Sequence, residues 1–312
     1  MNEADIKVIK EIEENLASCL LGKRKEIKLV LTALLAGGHV LLEGVPGTGK
    51  TLLVKALARS IQGEFRRVQC NPDLLPTDVT GFSMYHPKEE QFLFRPGPVM
   101  TNILLMDEIN RTSTKTQSAL LEAMEEKQVS VDGKMYALPE PFFVLATQNP
   151  IEFEGTYPLP EAQLDRFMMK FHLGYPDKAT EKNLLLGQNN RKLFENLNPV
   201  TEIETIASLQ QQIEEVYVDD EIVDYILSIT EETREHPYIY LGASPRAALS
   251  LLHGVKALAL IEQRTFVTPD DVKFLAPYVY CHRLMLKPEA KMDGLTEQAI
   301  LQSIMKNVRV PI

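Results

Sequence analysis

Gly44-Val45-Pro46-Gly47-Thr48-Gly49-Lys50-Thr51 has the spacing G-x-x-x-x-G-K-[ST]. Glycines so placed let successive backbone N–H groups turn toward one point, followed by a mobile positive charge and a hydroxyl. That set suits a triphosphate carrying a hard divalent cation, with Lys50 reaching the β- and γ-phosphates and Thr51 ligating Mg²⁺. An apolar run precedes the loop and a helical pattern follows it. The phosphates would therefore meet a helix N-terminus, where the dipole favours negative charge.

A second constellation lies downstream. Ile103-Leu104-Leu105-Met106 is an apolar strand that ends in Asp107-Glu108. Acids at the carboxyl end of a strand stand where open α/β sheets bind ligands. Asp107 is expected to hold the metal's coordination shell and Glu108 to orient the attacking water, because phosphoryl transfer depends on positioning and charge neutralisation. A further run, Phe142 to Thr147, closes on Gln148-Asn149-Pro150. Asn149 is either a turn former or, if its strand neighbours that of Asp107, a reader of the γ-phosphate. Arg166 has two readings, a local ion pair with Asp165 or a finger donated to a neighbouring subunit's ATP, worth on the order of 10³–10⁵ in rate. Arg246 follows Ser244-Pro245, a helix start, where a cation opposes the helix dipole. An anion is its expected partner, with ATP phosphate as the candidate.

The elements that must position these groups follow from periodicity. Helical patterns cover residues 3–20, with Ile9, Ile12 and Leu16 on one face, and 25–36, stopping at Gly37-Gly38. Short apolar runs at 39–42, 65–69, 103–106 and 142–147 then alternate with helices at 50–62 and 113–126, which argues for a parallel α/β sheet. Beyond Tyr175-Pro176 strands disappear. Helices are expected near 179–186, 208–215, 222–235 and 245–263, with a last one starting at Thr268-Pro269-Asp270-Asp271. Two domains are expected, 1–176 and 177–312, the second all helical.

Composition sets bounds. A net charge of −10 lacks the electrostatic footprint of a nucleic-acid binder. Cys19, Cys70 and Cys281 match no metal or redox spacing. The longest uncharged run, 29–42, is too short for a membrane span, and no signal peptide opens the chain, so a cytoplasmic protein is expected. His39 and His253 lie in apolar patterns and are expected to be structural.

Asp107-Glu108-Ile109-Asn110-Arg111, the stretch from Asn149 through Glu154-Gly155 and Pro160 to Arg166-Phe167, and Gly242-Ala243-Ser244-Pro245-Arg246-Ala247 together resemble the MoxR branch of AAA+ ATPases. The resemblance implies an AAA+ αβα P-loop core followed by a helical lid. It also implies ATP and Mg²⁺ at the interfaces of a ring, hexameric by family habit, and a chaperone-like role toward client proteins. A partner with a von Willebrand factor A domain is commonly involved. Residues 81–98 and 128–136 resemble the family's two inserted hairpins, and Asp132-Gly133 is by itself a hairpin signal. Their aromatics either face a pore or partner or pack on the sheet. Gly22-Lys23 replaces the family's usual Gly-Gln on the adenine side. Two other functions stay open: a nucleotide-gated regulatory scaffold with slow hydrolysis, and a DNA-acting motor supported only by Lys127 and Lys134.

Overall fold

The computed structural model describes residues 3–44, 48–149, 156–175, 178–185 and 194–311. Two helices, α1 (Glu3–Cys19) and α2 (Arg24–Leu35), precede an alternation of β1 (Val40–Glu43), α3 (Lys50–Ser60), β2 (Phe65–Gln69) and the short α4 (Pro76–Thr80). A hairpin of β3 (Gly81–His86) and β4 (Gln91–Pro96) leads to β5 (Ile103–Asp107) and α5 (Thr114–Glu126). A second hairpin, β6 (Gln128–Val131) and β7 (Lys134–Ala137), precedes β8 (Phe143–Gln148), α6 (Glu161–Leu164) and β9 (Met169–His172).

Five of these strands form one sheet in the order β2-β5-β8-β1-β9, with every neighbouring pair parallel. Alternation along each central strand divides the core in two. Val40, Leu42, Ile103, Leu105, Phe143 and Leu145 face α1–α3, whereas Leu41, Leu104, Met106, Val144 and Ala146 face α5 and the hairpins. Burial on both faces is why these strands read as continuous apolar runs. The edge strand β9 went unseen in the sequence, because Lys170 and His172 interrupt it and only four residues pair.

The described residues beyond β9 are mainly helical: α7 (Lys178–Leu185), α8 (Ile203–Gln212), α9 (Asp220–Glu235), α10 (Pro245–Ile261), α11 (Pro269–Tyr280), α12 (Pro288–Met292) and α13 (Glu297–Asn307). Helix α8 begins five residues before the expected 208, with Ile206 and Leu209 buried. Thr268 caps α11 as expected, in a capping box with Asp271. The expectation that strands disappear is corrected by an antiparallel ribbon of β10 (Ile239–Leu241) and β11 (Met285–Leu286), each too short to show a period. The expected boundary at 176–177 lies outside the described residues. Helix α10 packs on α2, and its core is continuous with that of the first sheet face. Among the described residues no helix is long and apolar enough to cross a membrane.

Both hairpins form where expected. Asp132 and Gly133 have φ of 51° and 74°, the paired positive values of a tight hairpin turn. Gly81 at the first hairpin's base has φ 101°, and a Cβ there would lie 2.4 Å from the Arg95 carbonyl oxygen. The hairpin aromatics divide between the two expectations. Phe94 stacks on Tyr136 of the other hairpin with centroids 3.9 Å apart, while Tyr85 and Phe92 are exposed.

Candidate nucleotide site

Strand β1 delivers Gly44, and α3 begins immediately after Gly49, whose φ of 92° is left-handed. No side chain caps this helix. Its first-turn N–H groups suit an anion, the other partner that a helix N-terminus accepts. Lys50 donates to the Gly44 carbonyl at 2.8 Å, folding back across the loop. Burial pushes the Lys50 ammonium below its ordinary range, while the negative charges of Asp107 and Glu108 draw it back up. The lysine and the two acids therefore share one electrostatic neighbourhood. Thr48 is buried and Thr51 half-buried; Val45, Pro46 and Gly47 of the expected loop lie outside the described residues.

The acids are braced from both neighbouring strands. Thr147 of β8, fully buried, donates to Asp107 Oδ1 at 2.6 Å and accepts from the Glu108 backbone N–H at 2.9 Å. From β2, Arg67 reaches Asp107 Oδ2 at 2.6 Å, and Gln69 Nε2 donates to Glu108 Oε2 at 2.8 Å. Arg111 approaches the same Glu108 oxygen at 3.3 Å. Glu108 has φ 58°, left-handed for a residue with a side chain, at a cost of about 1–3 kcal/mol. Strain of that size at the end of a central strand is typical of functional positions. Asn149 follows β8, which pairs directly with β5, so the condition set for its γ-phosphate role is met; its backbone carbonyl faces Asn110 Nδ2 at 3.5 Å.

The donor set fits a nucleotide and Mg²⁺. One carboxylate and one hydroxyl, Asp107 and Thr51, are what this cation takes from a protein when phosphates and water supply the rest. Arg67, which occupies one Asp107 oxygen, must share that group with the metal or swing away.

The two arginines stand elsewhere. Arg166 Nε and Arg246 Nη1 meet on Glu125, at 2.7 Å and 3.0 Å. Glu125 lies in the last turn of α5, and all three side chains line a cavity of about 280 Å³ with Gly38 and His39. His39 leads into the amino end of β1, whereas Asp107 closes the carboxyl end of the parallel β5. The arginines are thus at the opposite end of the sheet from this chain's own phosphate loop. The local ion pair with Asp165, one of the two readings of Arg166, is not formed: Asp165 accepts instead from Arg283 Nε at 2.7 Å and from Ser244 Oγ at 3.2 Å. Within the chain the anion beside Arg246 is the Glu125 carboxylate.

Other expectations concern scaffolding. His39 is buried, accepting from the Val144 N–H through Nδ1 at 3.1 Å, with Nε2 3.3 Å from the Met124 carbonyl; burial holds it neutral, down at about 4. The described cysteines form no disulfide, and burial raises the Cys70 and Cys281 thiols to about 12. Lys23 folds inward to the Tyr175 carbonyl at 3.2 Å and to Glu26. Thr147, Gln69, Arg67, Glu125 and Arg283 were not singled out in the sequence. The only signal for Thr147 and Gln69 was a polar residue closing a strand adjacent to the acidic one.

A β2-β5-β8-β1-β9 sheet carrying a phosphate loop on its fourth strand and paired acids on its second, with a helical domain behind it, defines an AAA+ P-loop core with a helical lid. Residues 39–169 match the model of the ATPase family associated with various cellular activities (AAA), and residues 231–304 match the AAA lid domain. The chain is 53% identical to YeaC of Bacillus subtilis over 96% of its own length and 93% of that protein's. It is 39% identical to the chaperone MoxR1 of Mycobacterium tuberculosis, covering 94% of this chain and 79% of that one. A crystal structure from Cytophaga hutchinsonii, 39% identical, superposes with a TM-score of 0.91 over 99% of this chain and 96% of that one. The chain belongs to the MoxR family of AAA+ ATPases.

Proposed function

We propose that the chain hydrolyses ATP between the subunits of a homo-oligomeric ring and uses the cycle to remodel or activate partner proteins. The observation that carries this reading is the separation of its charged groups. Lys50, Asp107 and Glu108 share the carboxyl end of the sheet, while Arg166 and Arg246 meet on Glu125 at the other. On this reading one chain holds two complementary halves of a site, which a neighbouring subunit brings together.

In this mechanism the loop N–H groups and Lys50 hold the β- and γ-phosphates, and Thr51 and Asp107 hold Mg²⁺, which neutralises phosphate charge when bound. Glu108 orients the attacking water and accepts its proton as the oxygen–phosphorus bond forms and ADP leaves. Asn149 contacts the γ-phosphate, and the neighbour's arginines stabilise the charge that accumulates on it. Arg166→Ala protein mixed with Lys50→Ala protein tests the arrangement. Mixed rings should regain turnover, because a Lys50→Ala subunit still donates its arginines to an Arg166→Ala site. Turnover no higher than either variant alone, in rings shown to be mixed, would remove the trans assignment.

The partner proposed from the family resemblance is a chain with a von Willebrand factor A domain, together with a client protein. Co-purification tests this, and ATP turnover unaltered by such a chain opposes it. A gated scaffold with slow hydrolysis is favoured by one feature: Gln69 and Arg111 both occupy the same Glu108 oxygen, which would have to be released to orient a water. Partner binding that follows nucleotide state without remodelling would support the scaffold.

A further inference from the structure

The arginine pair at the far end of the sheet has an organising group of its own. Arg166 belongs to the core, between α6 and β9, whereas Arg246 belongs to the first turn of α10 in the lid. One carboxylate joins them, each oxygen taking a different arginine: Glu125 Oε2 from Arg166 and Oε1 from Arg246. Stability does not account for this arrangement. Glu125 is in the last turn of α5, where the helix dipole disfavours an acid, and Arg246 is in a first turn, where it disfavours a base. The three side chains are 34%, 30% and 43% exposed, and ion pairs so accessible to water contribute little to folding.

Hydrogen bonds to buried side chains support the cluster from behind. The carbonyl of Met124, the residue before Glu125, contacts buried His39 at the amino end of β1. On the other side, the buried Arg283 guanidinium donates to the carbonyls of Asp165 at 2.9 Å and Phe167 at 2.9 Å, the two residues that flank Arg166. Arg166 is thus anchored from behind and tied to Arg246 in front by Glu125. Lys127 joins them in lining the same cavity, leaving it with more positive than negative side chains, as an anion requires.

We propose that Glu125 is the positioning residue of the finger pair. By holding one arginine on each carboxylate oxygen, it offsets their mutual repulsion and presents both guanidiniums to one phosphoryl group on the adjoining subunit. This rests on the trans reading above, and it makes the core and the lid joint donors to the neighbour's site.

Complementation tests it. Donor subunits carrying Lys50→Ala cannot use their own loop, so turnover in a mixture with Arg166→Ala subunits reports donated arginines alone. Adding Glu125→Ala to the donor should cut the regained turnover by about tenfold or more, while Glu125→Asp in the donor should retain most of it. In otherwise unaltered rings, Glu125→Ala should lower kcat by a similar factor with KM for ATP changed less than about twofold, the pattern of a group that acts in the transition state. Melting curves and native mass measurement verify that each variant folds and assembles. Undiminished complementation by the Glu125→Ala donor, or turnover that rises when the carboxylate is removed, overturns the role of Glu125 and leaves the trans assignment standing. No gain in the reference mixture overturns the trans assignment and this role with it.

Discussion

Thr147 shows how much of the site depends on a residue with no catalytic chemistry. Its hydroxyl donates to Asp107 and accepts from the Glu108 N–H, fixing the spacing of the two acids from the adjacent strand. Thr147→Val keeps the shape and removes both bonds. It should lower ATP turnover on the order of 10²-fold through misplacement of the acids, measured by steady-state phosphate release on protein that still binds ATP. His39 acts at the same scale on stability. Its folded-state value is lowered from 6.5 to about 4 by burial, so the unfolded chain binds the extra proton first as pH falls. Its stabilising contribution is complete above pH 6.5 and is lost as pH drops toward about 4, amounting to about 3 kcal/mol over that window. His282 is shifted in the same direction by burial and adds to the trend. Urea midpoints should fall between pH 7 and pH 4, and a His39→Gln variant should show a shallower fall.

Among the elements, the junction between core and lid includes one buried cation beside the packing of α10 on α2. Arg283, 7% exposed, donates to the Asp165 carboxylate and to the carbonyls of Asp165, Phe167, Met168 and Val279. Arg283→Met removes those donors and leaves the Asp165 carboxylate without its cation, which should cost about 3–5 kcal/mol in denaturant titration. Ser244 still reaches Asp165 from the cap of α10, so the lid should loosen rather than detach. The hairpins are coupled by the Phe94–Tyr136 stack. A double-mutant cycle on that pair should return about 0.5–1.5 kcal/mol of interaction beyond lost area. A value near zero would mean that the hairpins move independently.

At the scale of the whole molecule, a phosphate loop lies at one end of the sheet and an arginine pair at the other, and on the proposed trans reading a subunit works only beside a copy of itself. Glu108→Gln should therefore leave ATP binding intact and abolish turnover, and rings of that variant should accumulate bound, unhydrolysed ATP, measurable by filter retention. Continued turnover would take Glu108 out of the reaction. The net charge of −10 argues against DNA as substrate, and salt-sensitive DNA binding at low ionic strength would contradict that.

What could be read from the amino acids alone was whatever is encoded by neighbours in the chain. The phosphate loop, the Asp107-Glu108 pair, Asn149, three central strands buried on both faces and the Asp132-Gly133 turn are all contiguous signals, because backbone conformation and strand burial act over a few residues. What only the folded molecule decided were contacts made by register and by packing across domains. Thr147 and Gln69 meet the acids because β8 and β2 flank β5 in a particular alignment. Arg166 and Arg246 meet because Glu125 lies between a core loop and a lid helix, and the edge strand β9 exists because β1 offers it a free side. Such pairings join residues tens to more than a hundred positions apart, and their energy comes from geometry that no local pattern of residue types contains.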